Sequence, residues 1–252
     1  VCPRKWYEIY VAKSAPRIFK ESFNKGMYFE QQVIGSSAHN MGAAQPKLLS
    51  NGNKAVAYQR IDDQAHRARF TVFPLFEVKI KEVQKTITTQ YISRQDIYDP
   101  IIVELEGTLD IVANMHDKEL AVGPRESIID LKLTSDINST FGEYAWGNPL
   151  KMDHMQAYFY SYLLQSEDYN QLYPRIIYNF IELFNMDWAM FYYMVFDYKP
   201  TPEYKVFRKK FDKAGWLELE RSIEIAIKKY IDAERLGFPE HPGVSCVDCT
   251  IK

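Results

Sequence analysis

No apolar run in this chain reaches the roughly 18 residues that a membrane-spanning helix needs; charged residues break each one first. No positively charged, then apolar, leader opens it. Val1-Cys2-Pro3-Arg4-Lys5 lacks an initiating methionine, as an excerpt or a processed chain would. A protein with no membrane partner and a cytoplasmic location is the expectation. There is no Gly-x-x-x-x-Gly-Lys-Ser/Thr loop, which excludes a nucleotide-driven motor of that type. Neither an internal repeat nor a low-complexity tract is present. No sign of charge is in excess: 31 basic residues face 33 acidic ones, for a net charge of -2. That balance argues against a strongly basic nucleic-acid coat and leaves room for a local basic channel. Cysteine is scarce, with three among 252 residues.

The composition, 46% hydrophobic and 25% charged, is that of an ordinary globular chain with ample length for a packed core. The 18 Tyr, 15 Phe and 4 Trp lie mostly at core-like spacings, so they read as core rather than as a stacking platform. Trp6, Ile9 and Tyr10 predict a helix from Pro3 to Lys13, and Phe19 to about Met41 predicts a second. Gly42 to Asn53 reads as a loop. Phe70 to Val78 is strand-like, and a strand is expected from Lys85 to Ile92. Ile101 to Ala113 and Glu126 to Leu133 read as the two arms of a hairpin, with turn formers between them. Met152 to Gln165 is helical, Trp188 to Tyr198 and Tyr204 to Phe211 are strands around a Pro200/Pro202 turn, and Trp216 to about Leu236 is an amphipathic helix stopped by Gly237 and Pro239. The order predicts an α/β fold, a mixed central sheet flanked by helices.

Two aspartates break the apolar pattern of the predicted hairpin: Asp110 in Leu109-Asp110-Ile111-Val112 and Asp130 in Ile128-Ile129-Asp130-Leu131. Burying a carboxylate without partners is costly, so such positions call for a partner or a cation. Lys132 lies two residues after Asp130, and on a strand that spacing points both side chains to one face. A carboxylate pair and an ammonium on one sheet face can hold a divalent cation and position a water beside it. Glu30, in Gly26-Met27-Tyr28-Phe29-Glu30, lies on the second predicted helix, where Glu21 is the competing candidate. Gln156 and Tyr160 stand at i and i+4 on one face of the later helix.

This ordered set, Glu30, Asp110, Asp130-Leu131-Lys132 and Gln156-Ala157-Tyr158-Phe159-Tyr160, resembles the PD-(D/E)XK nuclease superfamily, and its Gln-Ala-x-x-Tyr helix is similar to that of the RecB-like branch. The resemblance runs from Cys2 to Cys249. It implies a single nuclease domain over residues 1–252 with a restriction-endonuclease-like core. It also implies a Mg²⁺- or Mn²⁺-dependent deoxyribonuclease, similar to phage exonucleases and to CRISPR-associated adaptation nucleases. Glu30, Asp110, Asp130 and the Leu131 carbonyl would hold the metal. Lys132 would orient or deprotonate the attacking water, and Gln156 and Tyr160 would contact DNA. Many relatives carry a metal-binding histidine in the first helical region, but His39 is out of that pattern. Beyond DNA, the implied partners are further copies of the chain or a recombination or helicase protein.

The cysteines admit three readings: free thiols, a zinc site completed by His241, or an iron–sulfur centre. Cys2 at one end, with Cys246 and Cys249 at the other, resembles the iron–sulfur subgroup of RecB-like nucleases. A 4Fe-4S cluster needs four thiolates as a rule, so its fourth ligand would lie outside this chain. From a different class comes the alternative of a catalytically silent DNA-binding or assembly protein that keeps the nuclease fold.

Overall fold

The computed structural model describes residues 21–35, 44–93, 101–118, 123–140, 154–172, 190–209 and 211–237. The expected helix Pro3–Lys13, together with Cys2, Cys246, Cys249, His39 and His241, lies outside them. A five-stranded sheet in the order β1-β2-β3-β4-β5 forms the centre. The strands are β1 (Lys79–Ser93), β2 (Ile101–Met115), β3 (Arg125–Thr134), β4 (Met190–Asp197) and β5 (Tyr204–Lys209). β3 and β4 run parallel and the other neighbours antiparallel, so the sheet is mixed. A parallel pair needs a crossover between its strands, and the helix α3 (His154–Leu172) lies in that connection. Among the described residues, no helix is long and apolar enough to cross a membrane.

One sheet face is covered by α1 (Glu21–Ile34) and α2 (Val56–Arg67), the other by α3 and α4 (Lys213–Arg235). Phe29, Tyr58 and Ile61 pack with Ile111, Ile129 and Phe196 on the first face. Ala157 and Leu163 pack with Val112, Ile128 and Val195 on the second. β4 is buried from Phe191 to Asp197, which is why its sequence is a continuous apolar and aromatic run rather than an alternating one. Gly35 ends α1, with a φ of 67° and its N–H donating to the Gln31 carbonyl at 2.9 Å. The helix therefore stops short of the expected Met41. Asp212 caps α4 by accepting from the Gly215 N–H at 2.7 Å.

Phe70 to Val78 is not a strand. Ala68–Val72 forms a wide helical turn, and Phe73–Leu75 continues as a further turn of helix. Val72 and Phe73 are buried against α1 and α2. The segment is apolar because it crosses the core, and so short a run cannot separate the two periods.

The sheet forks where the candidate residues lie. β2 and β3 pair from Met115↔Arg125 to Ile111↔Ile129, and the next positions along each strand are Asp110 and Asp130. Beyond them the strands part. β3 goes on beside β4, and Ile101 to Leu109 pairs only with β1 among the described strands. At the same level Gln84 of β1 adopts a φ of 50°, and it stands between the pairs Val83↔Ile111 and Lys85↔Leu109. Left-handed backbone at a non-glycine residue costs on the order of 1–2 kcal/mol. It resets the pleat: Ile87 and Leu109 on the outer side of the kink pack with α3, whereas Val83 and Ile111 on the inner side pack with α1 and α2.

Candidate active site

Because Asp110 and Asp130 occupy opposed positions at the fork, both carboxylates project where no further ladder bond joins β2 to β3. The Leu131 N–H donates to Asp110 Oδ2 at 2.9 Å. On a strand, the N–H and carbonyl of one residue share an edge, so the Leu131 carbonyl is also on the β2 side. Asp130 is only 2% exposed. Its Oδ2 lies 2.8 Å from Lys132 Nζ, the same-face neighbour anticipated from the Asp-x-Lys spacing. Gln156, on the first turn of α3, links the two groups. Lys132 donates to its Oε1 at 3.2 Å, and its Nε2 donates to Asp130 Oδ1 at 3.2 Å. Tyr160, one turn further on, hydrogen-bonds Gln156.

Electrostatics follow from this crowding. Burial, reinforced by the Asp130 charge and only partly offset by Lys132, pushes the Glu30 carboxyl up to about 7. Asp110 is held well above the ordinary carboxylate range by burial and by the charges of Asp130 and Glu30, against the Leu131 N–H and Lys132. For Lys132, burial works to lower the ammonium, but the ion pair and hydrogen bond with Asp130 outweigh it and raise it. Lys132 is therefore a cation at neutral pH. Burial also raises the Tyr160 phenol.

Glu30, Asp110, Asp130, Lys132, Gln156 and Tyr160 thus form one electrostatically coupled set drawn from α1, β2, β3 and α3. Glu21 does not join it: it is 59% exposed and pairs with Lys25 at 3.2 Å. Among the described residues, no three His, Cys, Asp or Glu side chains stand ready in metal-holding positions. The reason is visible at Asp130, whose oxygens are turned to Lys132 and Gln156. The donor chemistry nonetheless suits a hard divalent cation: carboxylate oxygens, a strand carbonyl, and more negative charge than one ammonium offsets.

Two contributors were not anticipated. The Gln84 kink has no signal in the sequence, since glutamine carries no preference for left-handed backbone. Gly107 had one, because a glycine inside a strand marks close approach. A Cβ there would lie 2.6 Å from Leu163 Cδ1 and 3.2 Å from Tyr160 Cε1. Its absence lets α3 settle on β2, with Gln156 at the fork.

No family model matches the chain, and no curated protein sequence does. A crystal structure of an exonuclease candidate from Eubacterium rectale is similar in fold, with a TM-score of 0.54 and 11% identity. The alignment covers 94% of this chain and 82% of that one. At such identity the likeness concerns the fold.

Proposed function

We propose that this chain is a divalent-metal-dependent DNA nuclease of the RecB-like PD-(D/E)XK type, acting as an exonuclease. The observation that carries the reading is the fork itself. Two opposed aspartates, one glutamate and a lysine are crowded where the sheet opens, with Gln156 bonded to both members of the ion pair. Such polarity stabilises nothing in a core. The exonuclease candidate of similar fold supports the same direction.

Glu30, Asp110, Asp130 and the Leu131 carbonyl would hold Mg²⁺ or Mn²⁺. When bound, such an ion neutralises charge on phosphoryl oxygens and makes water a better nucleophile at neutral pH. The protein's own groups have separable tasks. Lys132, kept protonated by Asp130, orients the attacking water and offsets negative charge at the phosphate; it is not the base. Gln156 holds the ammonium in place, and its position with Tyr160 at the start of α3 suits contact with the DNA backbone. Leu131 fixes the Asp110 carboxylate through its N–H.

The silent DNA-binding reading draws on one observation, that Asp130 already has Lys132 as its counter-charge. An assay on linear and on covalently closed circular DNA, each with Mg²⁺, Mn²⁺ or EDTA, separates the readings. Metal-dependent loss of the linear form alone is expected. Cleavage of the closed circle would remove the exonuclease assignment, and no cleavage with any metal would favour the silent protein. We also propose that Cys2, Cys246 and Cys249 ligate an iron–sulfur cluster whose fourth ligand lies outside this chain.

A further inference from the structure

Both oxygens of Asp130 are engaged by this chain's own side chains. Lys132 Nζ lies 2.8 Å from Oδ2, and the charge it carries also stabilises the Glu30 and Asp110 carboxylates. Gln156 closes the arrangement from α3. Its Nε2 donates to Asp130 Oδ1 at 3.2 Å, and its Oε1 accepts from the ammonium at the same distance. Lys132, Gln156 and Asp130 thus form a three-membered clasp at the fork. Asp130 is buried, so an oxygen released by Lys132 needs another positive charge beside it.

The two contacts of the ammonium differ in what they allow. Lys132 is 30% exposed and sits on a flexible four-carbon stem, so it can leave Asp130 and stay on Gln156 Oε1 without repacking the core. A monovalent ion brings no more charge to Asp130 than the ammonium already there. A divalent ion brings twice as much, and Coulomb attraction grows in proportion. Resting on the metal-binding part of the nuclease reading, we infer that Lys132 is the resident counter-ion of the cation site. It holds Asp130 until a divalent cation replaces it, and is then retained at the fork by Gln156. The clasp sets the preference for divalent over monovalent ions. It also sets the apparent affinity, which is reduced by the fraction of molecules in which the carboxylate is held.

Mn²⁺ affinity, measured by titration calorimetry on the full chain without DNA, tests this apart from turnover. Lys132→Met removes the charge and keeps the stem, and should bind Mn²⁺ about 10–100-fold more tightly. Lys132→Gln, which can still donate to the buried Asp130, should shift the same way and serves if the first variant fails to fold. Lys132→Arg keeps a charge that pairs at least as well with a carboxylate, and should bind no more tightly than the unaltered chain. Lys81→Met removes the ammonium that pairs with Glu126 at the surface and should change nothing, which separates displacement from a general gain of negative charge. Unchanged or weaker Mn²⁺ binding in the neutral Lys132 variants overturns the inference, as does an equal gain in Lys81→Met. Tighter binding by those variants, with no cleavage by the unaltered chain in any metal, would sink the nuclease reading and leave the counter-ion role standing. Metal-dependent cleavage by the unaltered chain with no gain of affinity in the variants would do the reverse.

Discussion

Glu30 brings a third carboxylate to a place that already holds two, and among the described residues Lys132 is the ammonium that offsets them. With its carboxyl at about 7 in the folded protein and near the ordinary glutamate value when unfolded, the folded state binds more protons between those limits. The stability tied to Glu30 is therefore present at low pH and lost as pH rises through about 7, and Asp110 acts in the same direction. Metal-free protein should lose roughly 2–3 kcal/mol of unfolding free energy between about pH 5 and pH 8. Urea titrations measure this, and Glu30→Gln should flatten the profile. An equally steep profile in that variant would assign the loss elsewhere. Added Mn²⁺ should restore stability at the alkaline end, because a ligand that binds only the folded state stabilises it. Lys132→Ala should cost about 100–1000-fold in cleavage and should also lower the melting temperature of the metal-free protein, because it leaves the buried Asp130 carboxylate without its ammonium. Asp110, Asp130 and Lys132 were legible as residues because charge interrupts apolar strands there. The protonated state of Lys132 was not, because it depends on a distance between side chains.

The elements explain why α3 carries the site. Gly107 allows the helix to lie on β2, so Gly107→Ala should push Leu163 and Tyr160 outward and cost about 1–3 kcal/mol. Cleavage should fall further than stability does, since Gln156 rides on the same helix. Pairing it with Leu163→Ala removes the atom in conflict, and a double-mutant cycle of melting temperature and kcat should show partial recovery. Additive losses would mean that the close approach has no part in placing α3. At this scale the hairpin and α4 were readable from alternation and from a 3.6-residue period. α2 was not anticipated: Tyr58, Ile61 and Ala65 give it a narrow apolar stripe among Gln, Arg and Asp. The helical turns at Ala68–Leu75 look like a strand because their aromatic and β-branched residues fill a core.

For the whole molecule, the sheet and its two helical layers bring together residues separated by up to 130 positions in sequence, from Glu30 to Tyr160. The mixed sheet was legible from the order of elements. The fork was not, because it depends on which strand each segment of β2 pairs with. If the terminal cysteines share an iron–sulfur cluster, anaerobically purified protein from a chain extended past Lys252 should be brown, and Cys246→Ser should bleach it and lower its melting temperature. A colourless, iron-free preparation would remove the cluster and leave the fork untouched. The central claim is that the fork holds a divalent cation and uses it to cut DNA. Its most direct measurement is the initial rate of nucleotide release from linear DNA in Mn²⁺, for the unaltered chain and for Asp130→Ala side by side, with Mn²⁺ affinity read from the same preparations. The account predicts release that EDTA stops, and a variant that keeps its melting temperature while losing both cleavage and Mn²⁺ affinity. Release that persists in EDTA, or an Asp130→Ala protein that cuts and binds Mn²⁺ like the unaltered chain, would contradict it.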